Sequence, residues 1–343
     1  METAGGCKSL VEIANTMHAR GHETEFVIPY SSPVAYEVNC KVTRIPVPVL
    51  SKEYIPYGDI VLTNFYATFQ PAYEAWPDQC VRFCQGFEPL WVKDKDFAVW
   101  TYSNDVPVIS SSRWLDNQLF LYTGRRSTAI VPLGMSPYVF HPAEHPRPGH
   151  AEKVILYIAR DPKLGYQLKG YDDFLKSMEI LMQTYNGKFI VDMVCVESNL
   201  HLPGIPHRVI GPRTDREMAG LYRSADVFVS TSWYEGFGLP PLEAMACGTP
   251  VVTTNSGGVL EYAKHGYNVH MVEPKNPQAI AEGVREVLTQ PLLTKKLMKA
   301  GKKSALNFTE DRFRQSIVTA LEDIHKKRVN KKLGKKRWGF NWM

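Results

Sequence analysis

The hydrophobic positions along this chain fall into short apolar runs that alternate with stretches of helical spacing. "GGCKSLVEIANTMHARGHETEFVIP" reads as loop, helix, turn and strand. Leu10, Ile13 and Met17 repeat at helical spacing. Gly21 stands where a helix C-terminal glycine belongs, and "TEFVIP" follows as a strand. "KVTRIPVPVL" and "DIVLTNF" predict further strands, and "CVRFCQ" and "PVISSS" are two more short apolar runs. "RWLDNQLFLYT" predicts a helix and "STAIVPLG" a closing strand.

The pattern then stops. "HPAEHPRPGHAEK" carries Pro142, Pro146 and Pro148 and no periodicity, so it reads as a linker. The alternation restarts with "KVILYIA" as a strand, "YDDFLKSMEILMQTY" as a helix and "KFIVDMVCV" as a strand. "HRVIG", "DVFVSTS" and "TPVVTT" predict three more strands, with a helix at "DREMAGLYRSA". "NPQAIAEGVREVLTQ" and a final helix from about Thr309 to Lys326 complete the pattern.

Two runs of alternating strands and helices imply two α/β domains with largely parallel sheets. The expected boundaries are 1–145, 152–308, a helix over 309–326 returning toward the N-terminal domain, and a tail over 327–343. Ligands in such sheets collect at the carboxyl ends of strands where the order switches, and a cleft between two domains is a natural site. A doubly wound domain ordinarily begins with a strand, yet Gly5 and Gly6 stand four residues into the chain. The first strand of the N-terminal sheet is therefore expected to be missing.

Composition narrows this picture. Hydrophobic residues make up 44% and charged residues 22% of the 343 positions, which suits a soluble globular protein. No apolar run reaches the roughly 18 residues of a membrane helix. "METAGGCKSL" has neither a basic nor an apolar leader region, so the expected location is cytoplasmic. The six cysteines are scattered, and Cys80 and Cys84 have no second pair to complete a zinc site or a disulfide framework, so reduced thiols are expected. The net charge of +5 is uneven. From Lys326 onward there are eight basic residues and no acidic one, interleaved at the end with Trp338, Phe340 and Trp342. This composition suits contact with an anionic membrane surface, or simply a solvated end. No nucleic-acid reading motif accompanies it.

The chemistry concentrates in "STSWYEGFGLPPLEAMACGTPVV", residues 230–252. Between two apolar strands lie a loop with Gly236 and Gly238, then a short helix expected over Pro240–Cys247. Proline suits a first helical position, and Gly248 suits the end. A glycine loop opening a helix exposes N–H groups at a positive helix terminus, an anion site suited to a diphosphate. Glu235 stands at the strand end within reach of a sugar. Glu243 is expected in the first helical turn, where its carboxylate could accept from the diol of a ribose. Capping alone would also favour an acid there, by about 0.3–1 kcal/mol.

This segment resembles the nucleotide-sugar motif of glycosyltransferase family 4, whose members are retaining enzymes of the GT-B fold. The match runs through E-G-F-G-L-P, then L-E-A-M-A and G-T-P-V-V. The resemblance implies two Rossmann-like doubly wound domains with an interdomain cleft. It implies transfer of a hexosyl or deoxyhexosyl group from a nucleoside-diphosphate donor to a glycan or lipid-linked acceptor. No metal or cofactor is implied, surface polysaccharide biosynthesis is the implied setting, and UDP, GDP and dTDP are not distinguished.

The resemblance also carries residues over. "VILYIARDPKLGYQLKGYDDFLKSM" resembles the segment whose basic pair, here Arg160 and Lys169, holds the donor diphosphate. With Glu235 these are the implied catalytic residues. Gly236, Phe237, Gly238, Leu239 and Glu243 are the implied donor-binding residues, with Ile210 and Gly211 bordering the base. Gly257 and Gly258, followed by Glu261, resemble the glycine pair after the motif. Gly5 and Gly6 resemble an N-terminal loop that reaches phosphate or acceptor, although a plain turn would read the same. Many relatives have a histidine where "VRFCQGFEP" places Gln85; "QGFEP" resembles a Q-D-Y-E-P variant of rhamnosyltransferases. Gln85 can hydrogen-bond a sugar but cannot act as a base, and Glu88 is the candidate to compensate. Leu133 and Ser136 stand where the family often has asparagine and aspartate.

Rival classes make different demands. A dinucleotide-dependent oxidoreductase needs G-x-G-x-x-G after a strand, and the sequence has none. A GT-B epimerase needs catalytic acids other than this glutamate pair. The alternative that stays open is an inactive GT-B relative serving as a binding or scaffold subunit.

Overall fold

The computed structural model describes residues 5–144, 152–197 and 200–337. Most of the expected linker, including Pro146 and Pro148, lies outside the described residues, as do Trp338, Phe340 and Trp342. The chain divides into two compact units, one running to Pro132 and resuming at Asp311, the other spanning Leu133–Glu310.

The first unit opens with α1 (Gly5–Ala19). Gly5 and Gly6 are therefore helical rather than part of the expected loop. Strands β1 (Glu25–Pro29) and β2 (Lys41–Ile45) pair in parallel as a sheet of two. A second sheet holds β3 (Val61–Thr63), β4 (Cys80–Cys84), β5 (Val108–Ser110) and β6 (Ala129–Ile130) in that order, all parallel. Between them run α2 (Tyr66–Ala75), α3 (Lys95–Ser103) and α4 (Arg113–Thr123). Ser112 caps α4 by accepting from Leu115 N–H, and Gly124 ends it in the left-handed conformation. Its buried side chains include two clusters, one with Phe87, Tyr102, Leu115 and Leu119 and one with Phe69, Ala72 and Cys80.

The last helix, α10 (Glu310–Arg337), joins this unit and does not stop near Lys326. Its apolar stripe, Phe313, Ile317, Leu321 and Ile324, is buried, and Phe313 stacks on Phe83 of β4. Arg328, counted by sequence among the tail charges, donates to the carbonyl oxygens of Gln79 at 2.9 Å and Cys80 at 2.8 Å. Cationic bonds to strand-end carbonyls hold the helix in place beyond its apolar stripe.

The second unit is a six-stranded parallel sheet. Its strands are β7 (Lys153–Ala159), β8 (Phe189–Cys195), β9 (His207–Ile210), β10 (Val227–Ser230), β11 (Val251–Thr254) and β12 (His270–Val272). Their order is β12-β11-β10-β7-β8-β9. The chain winds outward from β7 through β8 to β9, then returns to the other side of β7 with β10. The order therefore switches between β7 and β10. Helices α5 (Tyr171–Thr184), α6 (Asp215–Ser224), α7 (Leu239–Ala246), α8 (Pro277–Thr289) and α9 (Pro291–Ala305) complete the unit. Central strands read as continuous apolar runs because both faces are covered: Ile155, Tyr157, Val191, Met193, Val227 and Val229 are buried with Phe174 and Met178 of α5.

Candidate functional site

Several of the candidate residues of the second unit stand just past the carboxyl ends of its strands. Arg160 follows β7, Glu197 follows β8, Ser232 and Glu235 follow β10, and Gly257 and Gly258 follow β11. At the switch between β7 and β10, Lys169 Nζ lies 2.7 Å from Glu235 Oε1. The same oxygen accepts from Ser232 Oγ at 2.7 Å, and Ser232 is buried. Sequence reasoning singled out Lys169 and Glu235 but not Ser232 or the direct pairing.

Local structure fixes both partners. Lys169 ends a one-turn 3-10 segment, Gln167–Lys169, that feeds α5 through Gly170. A Cβ on Gly170 would lie 2.8 Å from the Thr231 carbonyl carbon and nearer still to its oxygen. Only glycine lets this segment lie against the end of β10. Thr231 Oγ1 then donates to the carbonyls of Gly170 at 2.8 Å and Lys169 at 3.1 Å. On the other side, Glu235 N–H donates to Ser256 O at 2.8 Å and Gly258 N–H to Glu235 O at 2.9 Å. The Gly257–Gly258 pair therefore packs backbone to backbone on the Glu235–Phe237 loop.

Helix α7 begins at Leu239, one residue before its expected start, and its next two positions are Pro240 and Pro241. Glu243 accordingly lies in the second turn, not the first as expected, because the two prolines occupy the first turn. Among the described residues, the N–H groups of Gly236, Phe237, Gly238 and Leu239 donate to no protein acceptor. Phe237 and Gly238 are buried, and buried amides without partners mark a place for an external acceptor. Glu243 Oε2 accepts from Tyr222 Oη at 3.0 Å. Burial first, then Glu243, holds the Tyr222 phenol far above its usual pKa. Burial also raises the Tyr262 phenol, with the charges of Glu235 and Glu243 both adding to it. Tyr262 in turn donates to the Gly238 carbonyl.

Arg160 stacks its guanidinium 3.6 Å over the Tyr166 ring centre and donates through Nε to Glu197 Oε1 at 3.1 Å. Its two terminal nitrogens donate to no described residue. Tyr166 and Glu197 had no signal in the sequence beyond their polarity. Ile210 ends the edge strand β9, and the space where a Gly211 side chain would stand is open. Glu261 closes a short 3-10 turn that begins at Gly258.

The first unit holds the remaining candidates. Gln85 follows β4 and donates through Nε2 to Gly6 O at 3.2 Å. Glu88 is 2% exposed and fully engaged, accepting from Arg82 Nη2 at 2.7 Å, Tyr66 N–H at 3.2 Å and Tyr102 Oη. The idea that Glu88 compensates for Gln85 gives way to a structural one: its carboxylate is the counter-ion of an arginine wholly inside the unit.

All six cysteines are free thiols, and among the described residues no cluster of side chains suits a metal ion and no helix is long and apolar enough to cross a membrane.

Residues 143–304, within the second unit, match the family described as Glycosyl transferases group 1. An uncharacterized glycosyltransferase of Methanocaldococcus jannaschii is 41% identical over 145 residues, 40% of this chain and 36% of that protein. The glycogen synthase of Mycobacterium tuberculosis is 31% identical over 191 residues, 53% of this chain and 44% of that protein. The match thus spans less than half the length of either relative. Among solved structures, the sucrose-phosphate synthase of Thermosynechococcus elongatus superposes with a TM-score of 0.77 over 94% of both chains at 17% identity. Anabaena HepE, solved in complex with UDP and glucose, gives 0.75 over 94% of this chain and 97% of that one at 16% identity. The fold is GT-B, two α/β units built on parallel sheets.

Proposed function

We propose that the protein is a glycosyltransferase that takes a sugar from a nucleoside-diphosphate donor, with retention at the anomeric carbon and without a metal ion. The observation that carries this reading is the run of four unpaired amides, Gly236 to Leu239, opening α7 beside the Lys169–Glu235 pair. Breaking the bond between anomeric carbon and diphosphate leaves negative charge on phosphate oxygen. The amides, the terminal nitrogens of Arg160 and the Lys169 ammonium are the preorganised donors for that charge. Lys169 exchanges Glu235 for phosphate, which frees the Glu235 carboxylate for the donor sugar. The new bond forms from an acceptor hydroxyl, whose proton leaves with the diphosphate. Glu243, held by Tyr222, accepts from the ribose diol, and Ile210 and Gly211 border the base. The acceptor in this reading is a glycan or a lipid-linked glycan, and the basic stretch from Lys326 suits an anionic lipid surface.

The test is thermal unfolding with UDP, GDP and dTDP, with Glu243→Ala and Lys169→Ala alongside. A diphosphate at about 100 times its Kd adds roughly 2.7 kcal/mol, or about 5–10 °C for a unit of this size. One diphosphate should stabilise the parent protein and neither variant. If none stabilises well-folded protein, the donor site is wrongly assigned. Stabilisation without turnover of any matching nucleotide sugar would favour the binding-subunit alternative.

A further inference from the structure

Trp233 stands between Ser232 and Glu235, and its indole is partly buried. Its backbone N–H donates to Leu168 O at 2.7 Å, and its Nε1 donates to Asp173 Oδ2 at 2.6 Å. These two acceptors bracket Lys169: Leu168 directly precedes it, and Asp173 follows it in the first turn of α5. One tryptophan therefore grips both sides of the segment whose ammonium reaches Glu235.

A third loop joins in. Lys275 Nζ lies 4.1 Å from the centre of the Trp233 ring. Lys275 adopts φ of 60°, the only non-glycine residue among those described with positive φ. A lysine held in the left-handed region is strained and persists only where its surroundings demand it. The loops after β7, β10 and β12 thus meet on one indole.

We propose that Trp233 is a positioning residue. It sets the separation of Lys169 and Glu235, and the indole N–H to Asp173 bond is the element that does so. This rests on the reading that Lys169 and Glu235 act on a nucleotide sugar. Trp233→Phe keeps an aromatic face under Lys275 and removes the N–H. Asp173→Ala removes the acceptor and leaves the indole intact, and Asp173→Asn keeps an acceptor oxygen.

Two readouts separate the proposal from that reading. The first needs no substrate: the rate of reductive methylation of Lys169, mapped by mass spectrometry, with exposed Lys163 as internal reference. Losing one hydrogen bond to a charged group should raise the Lys169 rate about tenfold or more in Trp233→Phe and Asp173→Ala. Asp173→Asn should recover most of that change, and Lys163 should not respond. The second is turnover of UDP-glucose, where Trp233→Phe should lower kcat about tenfold with KM nearly unchanged. An unchanged Lys169 rate in both Trp233→Phe and Asp173→Ala overturns the proposal, whatever the enzyme does. Equal changes at Lys169 and Lys163, or losses in KM and unfolding midpoint alone, assign Trp233 a general structural role and overturn it too. A parent protein that neither binds UDP nor turns over any nucleotide sugar counts against the transferase reading, and the methylation rates then decide the positioning role alone.

Discussion

Replacing Gly258 with alanine adds one methyl group at the point where two backbones touch. The new Cβ would stand 2.5 Å from the Phe237 nitrogen and nearer still to the Gly236 carbonyl carbon and oxygen. Ordinary contact begins at about 3.4 Å, so the Phe237 amide must retreat by about 0.9 Å. No flexible side chain is available to absorb the clash, because every near neighbour is backbone. Gly258 does not occupy the left-handed region, so the effect is steric rather than conformational. Overpacking of this kind costs about 1–3 kcal/mol, which lowers the midpoint of the second unit by about 2–4 °C per kcal/mol. The larger consequence is local. The displaced amides are those proposed to cradle the diphosphate, and a shift near 1 Å costs up to about 100-fold in a preorganised site. Titration calorimetry with the stabilising diphosphate, beside a thermal scan, reads both effects. Gly258→Ala with parental affinity and parental midpoint would refute the packing argument and the site built on it.

Glu88→Gln should destabilise the first unit by about 3–5 kcal/mol in chemical denaturation, because it leaves Arg82 charged, buried and short of its counter-ion. The double variant Arg82→Met with Glu88→Gln should recover much of that loss; a fully additive double variant would contradict the pairing. His270 should make the second unit less stable in mild acid. Burial lowers its pKa below 6.5 against the opposing pull of Glu286, with Glu282 and His265 also nearby. The folded state therefore excludes a proton that the unfolded chain takes up. Stability is full above about pH 6.5 and declines as pH falls toward the folded pKa. Unfolding midpoints across that window should fall in the parent protein and fall less in His270→Gln; parallel profiles would be inconsistent with this origin.

The strand-loop-helix from Val227 to Ala246 is readable in sequence because every signal in it is local: apolar run, glycines, prolines, closing glycine. Helices α2 and α3 are not readable in the same way. α2 contains Pro71, and α3 is held by ring contacts such as Phe97 on Trp100 and Trp100 on Phe69, which exist only after folding. The stripe buried by α9 is only Leu297, Gly301 and Ala305, too thin for its period to stand out. Pairings across the site, Lys169 with Glu235 and Trp233 with Asp173, depend on which strands become neighbours, and no spacing along the chain encodes that. The Arg82–Glu88 pair is different, since a signal is present. Arg82 sits in the middle of "CVRFC", a strand whose five residues are all buried. An arginine inside an apolar run cannot be left unpaired, because an isolated buried charge costs several kcal/mol. Its Nε and Nη1 have no hydrogen-bond partner, and its guanidinium carbon lies 4.6 Å from the Tyr102 ring centre, so one carboxylate must supply the charge compensation. Among nearby acids, Glu88 lies just past the next turn, at a distance the chain can close. The same residue that looks like catalytic chemistry when read by type is thus better read as the answer to a charge six positions earlier.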